Sequence, residues 1–162
     1  AISHQDQAII FSGHSQAGKT TLAKDWLNKY PHTQFINDDK PLLSLNQNKI
    51  YVSSHPWAGT EGLANDIKAE LGTIIFVQKS KTNQIIEIEN HQKIALLMEH
   101  FKKSIDPKIT KELITIIENI INHYRIIIYQ NAHNENSIPT LLSYIYQDIK
   151  HDQSYTRGKI HE

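Results

Sequence analysis

Glycine, lysine and threonine occur near the start of the sequence in an order suited to binding phosphate. Residues 13–20 fit the pattern Gly-x-x-x-x-Gly-Lys-Thr of a phosphate-binding loop, or P-loop. The two glycines permit backbone angles that turn successive N–H groups toward an anion, while the lysine reaches the β- and γ-phosphates and the threonine hydroxyl binds Mg²⁺. The predicted nucleotide-binding residues are Gly13, His14, Ser15, Gln16, Ala17, Gly18, Lys19, Thr20 and Thr21.

The elements on either side of this stretch match what a P-loop requires. An apolar run predicts a strand over Gln7–Ser12. From Lys19 onward, apolar residues recur at helical spacing until Pro31 ends the pattern. Without these neighbours the stretch would read as a glycine-containing turn with a surface lysine. The strand and helix therefore favour a nucleoside triphosphate site.

A pair of carboxylates follows the next predicted strand. Asp38 and Asp39 end the short apolar segment "TQFIN" and precede Lys-Pro. In phosphoryl transfer, one carboxylate can hold Mg²⁺ while the other accepts a proton from the attacking hydroxyl. The same five letters, "NDDKP", are also good turn chemistry. The nearby P-loop pattern favours a catalytic and metal-binding role for both aspartates and Lys19 over a plain turn.

Composition limits the classes of function. The chain has 162 residues, a formal net charge of zero and no cysteine, which predicts no nucleic-acid partner and a reducing, cytoplasmic location. No apolar run approaches the roughly 20 residues that span a bilayer, so no membrane partner is expected. Residues 1–149 are predicted to form one domain, with a polar C-terminal tail over 150–162. The oligomeric state stays open.

Strands and helices are mixed along the chain, which predicts an α/β fold with a central mixed sheet flanked by helices. A hairpin is predicted over residues 42–54, and "GTIIFVQK" and "RIIIYQ" predict buried strands, with a more exposed strand at "NQIIEIE". Two amphipathic patterns, around Ile94–Met98 and Ile109–Tyr124, predict helices whose isoleucines face the core. Ser137 is expected to start a last helix that ends at Tyr146.

Arginine content separates the candidate classes of P-loop protein. Arg125 and Arg157 are the two arginines, whereas metabolite kinases bring arginines onto the transferred phosphate from a lid. The region where a lid would lie offers Lys79 and Lys81. A GTPase is disfavoured as well, because the sequence has no Asn-Lys-x-Asp motif.

Five segments in order resemble the small HPr-kinase-like proteins, which share the P-loop fold of phosphoenolpyruvate carboxykinase. The segments are "FSGHSQAGKTTLAKDW", "FINDDKPLL", "HPWAGTEG", "GTIIFVQKSKTNQI" and "YRIIIYQN", and the resemblance runs over about residues 8–146. The resemblance implies the HPr kinase/phosphoenolpyruvate carboxykinase type of fold and ATP at residues 13–21. It implies Mg²⁺ on Thr20, Asp38 and Asp39, with an aspartate acting as base toward a serine hydroxyl.

The resemblance also implies that the loop containing Pro-Trp-x-Gly borders the acceptor. The candidate substrate residues there are His55, Trp57, Gly59 and Glu61. The alternatives are that Trp57 plugs the edge of the core and that His55 and Glu61 are solvated. The chain departs from the family pattern at Gln16, where relatives have glycine, and at Thr60, where they commonly have lysine.

These features favour an ATP-dependent kinase that phosphorylates a hydroxyl, with serine in a peptide, protein or small molecule as the expected acceptor. The departures at Gln16 and Thr60 motivate an alternative, a catalytically impaired nucleotide-binding regulatory module of the same fold. A phosphatase or a pyrophosphate-dependent enzyme is a third possibility. The sequence leaves the identity of the acceptor open.

Overall fold

The fold is taken from a computed structural model that describes residues 1–38, 40–54, 66–101 and 105–156, the last ten as backbone. In chain order, the described elements are β1 (Ile2–His4), β2 (Gln7–Ser12), α1 (Lys19–Lys29), β3 (Gln34–Phe35), β4 (Leu42–Asn46), β5 (Lys49–Ser53), β6 (Lys68–Lys79), β7 (Gln84–Glu87), α2 (Asn90–His100), α3 (Pro107–His123), β8 (Arg125–Asn131) and α4 (Ser137–Thr156).

All eight described strands join one mixed sheet with β6 at its centre. β2 lies parallel to β6 on one side. On its other side, the first residues of β6 pair with antiparallel β5, and its later residues pair with parallel β8. Two antiparallel steps, from β2 to β1 and from β1 to β3, make β3 run in the same direction as β2. The strands β2, β3, β6 and β8 therefore all end at one edge of the sheet, which we call the carboxyl edge.

Helices cover both faces of the sheet, because successive side chains of a strand point to opposite faces. Ile74 and Phe76 of β6 belong to a core cluster with Leu97 of α2 and Ile117 and Ile120 of α3. Their neighbours Ile75 and Val77 belong to a second cluster, whose other members include Leu22 and Trp26 of α1 and Leu141 of α4. The apolar run of β6 is thus buried on both faces, as its sequence predicts.

The expected α/β architecture, a central mixed sheet flanked by helices, is confirmed, and most elements lie where the sequence predicts them. One strand is missed. β1 pairs with β2 through a turn at Gln5 and Asp6, whose φ angles are 50° and 62°. Positive φ at both positions marks a tight hairpin turn, usually built from Asn-Gly or Asp-Gly. A three-residue strand followed by Gln-Asp gives little sequence signal.

The apolar faces of α2 and α3 do meet the core, as predicted, since Leu97, Ile117 and Ile120 are buried. Not all of the isoleucines follow, because Ile94, Ile109 and Ile114 are 46%, 50% and 48% exposed. One prediction about the helices is wrong. The last helix does not end at Tyr146, because the backbone of α4 stays helical to Thr156. Whether residues 150–162 form a separate tail stays a prediction.

None of the helices that the structure describes combines the length and the apolar character needed to cross a bilayer.

Candidate functional site

The carboxyl edge gathers several of the residues that the sequence singled out. The loop after β2 (residues 13–18) leads there directly into α1. The segments that follow β3, β6 and β8 reach the same edge because these strands run parallel to β2. Crevices at the carboxyl ends of parallel strands are where open α/β sheets bind ligands. This edge is therefore the candidate site.

The β2–α1 loop holds three residues with positive φ. The angles are 132° at Gly13, 64° at Gln16 and 88° at Gly18. A methyl carbon built on Gly13 would lie 2.6 Å from the Val77 carbonyl oxygen of β6, so the loop crosses the end of β6 too closely for any side chain. Gln16 adopts a left-handed conformation that glycine would take without cost. The glutamine is exposed and fits the path of the loop.

Lys19, the first residue of α1, folds back over this loop. Its Nζ donates to the carbonyl oxygens of Gly13 at 2.9 Å and His14 at 2.8 Å. The amine thus sits over the loop that precedes it. Thr20 follows as the second residue of α1 and is half-buried, whereas Thr21 is exposed.

The N-terminus of α1 differs from those of α2 and α3. Gly18 occupies its N-cap position, and no side chain of the described residues makes a capping hydrogen bond there. By contrast, Glu89 and Gln92 form a capping box on α2, and Asp106 accepts a hydrogen bond from the Lys108 amide on α3. The first amides of a helix need an acceptor from outside it, and the positive end of the helix dipole favours an anion. The start of α1 is chemically suited to such an anion.

Asp38 lies to one side of the β2–α1 loop. Ile2 of β1 pairs with Ile9 of β2 and with Phe35 of β3, which brings these residues level across the sheet. β3 ends at Phe35, and the chain bends at Ile36 and Asp38. The Asn37 amide donates to the Ala1 carbonyl oxygen at 3.3 Å, which keeps this segment beside the start of β1. Asp38 is half-buried and follows β3 at the carboxyl edge, two strands from β2.

On the other side of the loop, the segment after β8 contacts Gly18 directly. A methyl carbon built on Gly18 would lie 2.0 Å from Cε1 and 2.3 Å from Nε2 of His133. His133 is exposed, but its imidazole ring rests against the N-cap residue of α1. The sequence does not predict this contact, because an isolated histidine forms no pattern. The nearest signal was its position just after a buried strand at the carboxyl edge.

Side-chain hydrogen bonds hold the segment after β8 in place. The Asn83 side chain accepts from the Ala132 amide at 2.8 Å and donates to the Asn134 side chain at 2.7 Å. The Ser137 hydroxyl donates to Asn83 Oδ1 at 3.3 Å and accepts from the Asn134 amide at 3.0 Å. Because Asn83 precedes β7, this network ties the segment to the rest of the carboxyl edge. None of these polar residues was predicted to contribute.

The C-terminal end of α2 also reaches the β2–α1 loop. The ring of His100 lies 5.9 Å from that of His14 and 5.0 Å from that of Phe76, measured between centroids. His100 Nδ1 donates to the Leu96 carbonyl oxygen at 2.9 Å, which leaves Nε2 as the acceptor of the neutral ring. No pattern in the sequence predicts this contact of His100.

Cations near the site are lysines. Lys79 ends β6 and Lys81 follows it, so both reach the carboxyl edge, and both are exposed. Arg125 begins β8 and therefore lies at the opposite edge, where its guanidinium donates to the carbonyl oxygens of Tyr144 and Ile145 at 3.1 and 3.0 Å. Arg125 thus holds α4, away from the candidate site.

A buried histidine also lies away from the site. His4 pairs with Gln7 at the start of β2, which is the edge opposite the β2–α1 loop. Its Nδ1 lies 2.6 Å from the Thr33 hydroxyl oxygen, and the Trp26 and Tyr30 rings surround it at 5.6 and 5.5 Å. Burial lowers the pKa of the His4 imidazole. The histidine is a core residue.

Several predicted residues lie outside the described part of the chain. These are Asp39 and the candidate acceptor residues His55, Trp57, Gly59 and Glu61. Among the described residues, no group of three or more histidine, aspartate or glutamate side chains is placed to hold a metal ion. Of the predicted Mg²⁺ ligands, the described part of the chain includes Thr20 and Asp38, both at the carboxyl edge. Hydroxyl and carboxylate oxygens are the ligand types that Mg²⁺ prefers, and few of them are needed when phosphates complete its shell.

The sequence matches no protein-family model and no curated protein. Among solved structures, the fold is similar to that of the HPr(Ser) kinase/phosphatase from Coxiella burnetii, with a TM-score of 0.52. The similarity covers 98% of this chain and 94% of that chain at 14% sequence identity. The likeness is one of fold, and the P-loop itself stays a prediction.

Proposed function

We propose that this protein is an ATP-dependent phosphotransferase that phosphorylates a hydroxyl group, with serine in a peptide, protein or small molecule as the acceptor. In the proposed reaction, the acceptor oxygen forms a bond to the γ-phosphorus. The bond from that phosphorus to the β–γ bridging oxygen breaks, the hydroxyl proton passes to an aspartate, and ADP leaves. The proposal assigns ATP to residues 13–21, which fit the P-loop pattern.

One observation carries this proposal: the β2–α1 loop and Asp38 share the carboxyl edge of the sheet. Phosphoryl transfer needs a phosphate cradle, a metal and a base arranged around a single γ-phosphate. The uncapped start of α1 supports the cradle. The fold likeness to an HPr(Ser) kinase/phosphatase supports the same class of chemistry.

Each residue has a defined role in the proposed reaction. Lys19 neutralises charge on the β- and γ-phosphates, exchanging one of its bonds to the loop carbonyls for a phosphate oxygen. Thr20, Asp38 and Asp39 would hold Mg²⁺, which supplies charge neutralisation when bound. One of the two aspartates orients the acceptor hydroxyl and takes its proton. Positioning and electrostatics supply nearly all of the catalysis.

The test is transfer of labelled γ-phosphate from MgATP to serine, to serine-containing peptides and to small alcohols. Asp38→Asn and Asp39→Asn are expected to lower the transfer rate by at least about 100-fold, the usual contribution of a general base. Asp6→Asn is a matched control, since Asp6 lies in the β1–β2 turn at the opposite edge. Wild-type transfer rates in both Asp38 and Asp39 variants would contradict the assignment.

Gln16 supports a second candidate function, a nucleotide-binding regulatory module without catalysis. Its side chain projects from a left-handed position in the middle of the proposed phosphate loop. A large polar side chain there can occupy space that an attacking acceptor needs. Tight MgATP binding with no transfer to any hydroxyl offered would favour this module over the kinase.

The name of the structurally similar protein includes a phosphatase activity, which motivates a reverse assay. A phosphorylated serine peptide is incubated with inorganic phosphate or, separately, with MgADP. Attack by phosphate releases the serine hydroxyl and forms pyrophosphate, whereas attack by ADP releases it and forms ATP. The product formed therefore separates pyrophosphate from ATP as the donor in the forward direction.

A further inference from the structure

His133 is held in a conformation that costs free energy. Its φ is 52°, in the left-handed region, where a residue other than glycine is strained by about 1 kcal/mol or more. Such strain persists only where the surrounding structure fixes it, and it concentrates at functional positions. Here the surrounding structure does fix it, through a side chain two residues away.

Asn131 is the side chain that fixes His133. It is fully buried at the end of β8 and uses both ends of its amide on the same residue. Its Oδ1 accepts from the His133 amide at 3.1 Å. Its Nδ2 lies 3.1 Å from Nδ1 and 3.5 Å from Nε2 of the His133 ring, within reach to donate to a ring nitrogen. Backbone and ring are thus positioned together.

The orientation has a consequence for α1. The ring rests against Gly18, so a methyl group added at that position would have to displace the ring. At the same time the residue is exposed, so the ring is presented to solvent at the rim of the β2–α1 loop. The strained backbone of His133, the buried Asn131 and the contact with Gly18 together fix the orientation of this exposed ring.

His133 and Asp38 lie on opposite sides of the β2–α1 loop. Asp38 follows β3, which is two strands from β2 by way of β1. His133 follows β8, which is two strands from β2 in the other direction, by way of β6. A nucleotide whose γ-phosphate points toward Asp38 therefore directs its ribose and base toward His133.

The geometry points to His133 as a nucleoside-contacting residue, whose ring packs against the ribose and base of the bound nucleotide. This inference rests on the proposed function for the direction of the nucleotide. Stacking of an aromatic ring on a base is tolerant of orientation and contributes substantially to affinity. The hydrogen bonds from Asn131 and the network of Asn83 hold the ring ready before the nucleotide arrives.

Binding of MgATP, MgADP and magnesium tripolyphosphate is measured by calorimetry for the wild-type protein and for His133→Asn. Asparagine tolerates positive φ, so this variant removes the ring and keeps the backbone conformation. We expect at least about fivefold weaker binding of MgATP and MgADP, the lower limit for loss of one base-stacking contact. Tripolyphosphate, which has no nucleoside, should bind equally well to both proteins. His123→Asn, at the exposed end of α3 and the opposite edge, is the control.

The outcomes separate the inference from the proposed function. Unchanged ATP affinity in His133→Asn, or an equal loss for ATP and tripolyphosphate, overturns the nucleoside contact while leaving a kinase intact. A wild-type protein that binds neither ATP nor tripolyphosphate overturns both. A third outcome is that His133→Asn weakens binding of MgATP and MgADP but not of tripolyphosphate, while the wild-type protein transfers no phosphoryl group. This outcome supports the nucleoside contact and contradicts only the proposed kinase activity.

Discussion

Gly18 packs so closely against the imidazole ring of His133 that a methyl group on Gly18 would have to displace the ring. A methyl carbon on Gly18 would lie 2.0 Å from His133 Cε1. The contact joins the first turn of α1 to the segment after β8 and thereby fixes one wall of the candidate site. Its energetic weight can be measured directly.

Gly18→Ala is expected to lower the free energy of unfolding by about 2 kcal/mol or more, because positive φ and the clash with His133 add. Adding His133→Gly removes the clash between the new methyl group and the His133 ring. The strain of alanine at the positive φ of position 18 remains. In urea denaturation, the double variant should therefore recover at least about 1 kcal/mol relative to the sum of the single variants. Gly13→Ala is the control. Its methyl carbon would meet the backbone carbonyl oxygen of Val77, so His133→Gly should not relieve its destabilisation. Additive effects for the Gly18 and His133 pair would contradict the packing described.

Gln16→Gly is expected to stabilise the protein by about 1 kcal/mol. Glycine adopts the φ of 64° without the conformational penalty that glutamine bears. We expect this relief to exceed the entropic cost of ordering glycine, which is more flexible in the unfolded chain. Gln84→Gly provides the comparison, because Gln84 begins strand β7, where glycine destabilises by about 0.5–1 kcal/mol. Urea unfolding of both variants should give shifts of opposite sign. A loss of stability in Gln16→Gly would mean that its side chain makes a stabilising contact.

Burial of His4 makes stability depend on pH. The pKa of its imidazole is lowered by desolvation in the folded state, so the unfolded chain binds the proton more readily. Neutral His4 therefore contributes fully to the free energy of unfolding above the usual histidine pKa of about 6.5. As the pH falls below this value, the free energy of unfolding decreases by no more than about 1.4 kcal/mol per pH unit. His4→Gln should show a shallower loss of stability between pH 7 and pH 5 in urea denaturation. Identical pH slopes in both proteins would contradict this origin.

The sequence predicts the elements of the candidate site well and their relative positions poorly. The strand β2, the helix α1 and the short strand before Asp38 follow from local patterns of apolar residues, and the structure confirms them. The position of Asp38 two strands from β2 depends on β1, whose three residues give no local signal. The order of strands in a sheet depends on which strands pair. Pairing between strands that are distant in sequence cannot be predicted from the spacing of residues along the chain.

The contact with His133 illustrates the same limit. It exists because β8 lies beside β6 and β6 beside β2, which carries the end of β8 around to the start of α1. The polar residues that shape this segment, Asn83, Asn131 and Asn134, resemble ordinary loop composition in the sequence. Only their hydrogen bonds distinguish them.

The central claim is that residues 13–21 cradle the phosphates of ATP, with the γ-phosphate toward Asp38. The most direct measurement is a crystal structure with Mg²⁺ and a non-hydrolysable ATP analogue. The account predicts phosphates over the N-terminus of α1, Mg²⁺ near the Thr20 hydroxyl and the Asp38 carboxylate, and the base beside His133. Phosphates bound elsewhere, or a nucleotide reversed so that its base lies beside Asp38, would contradict it.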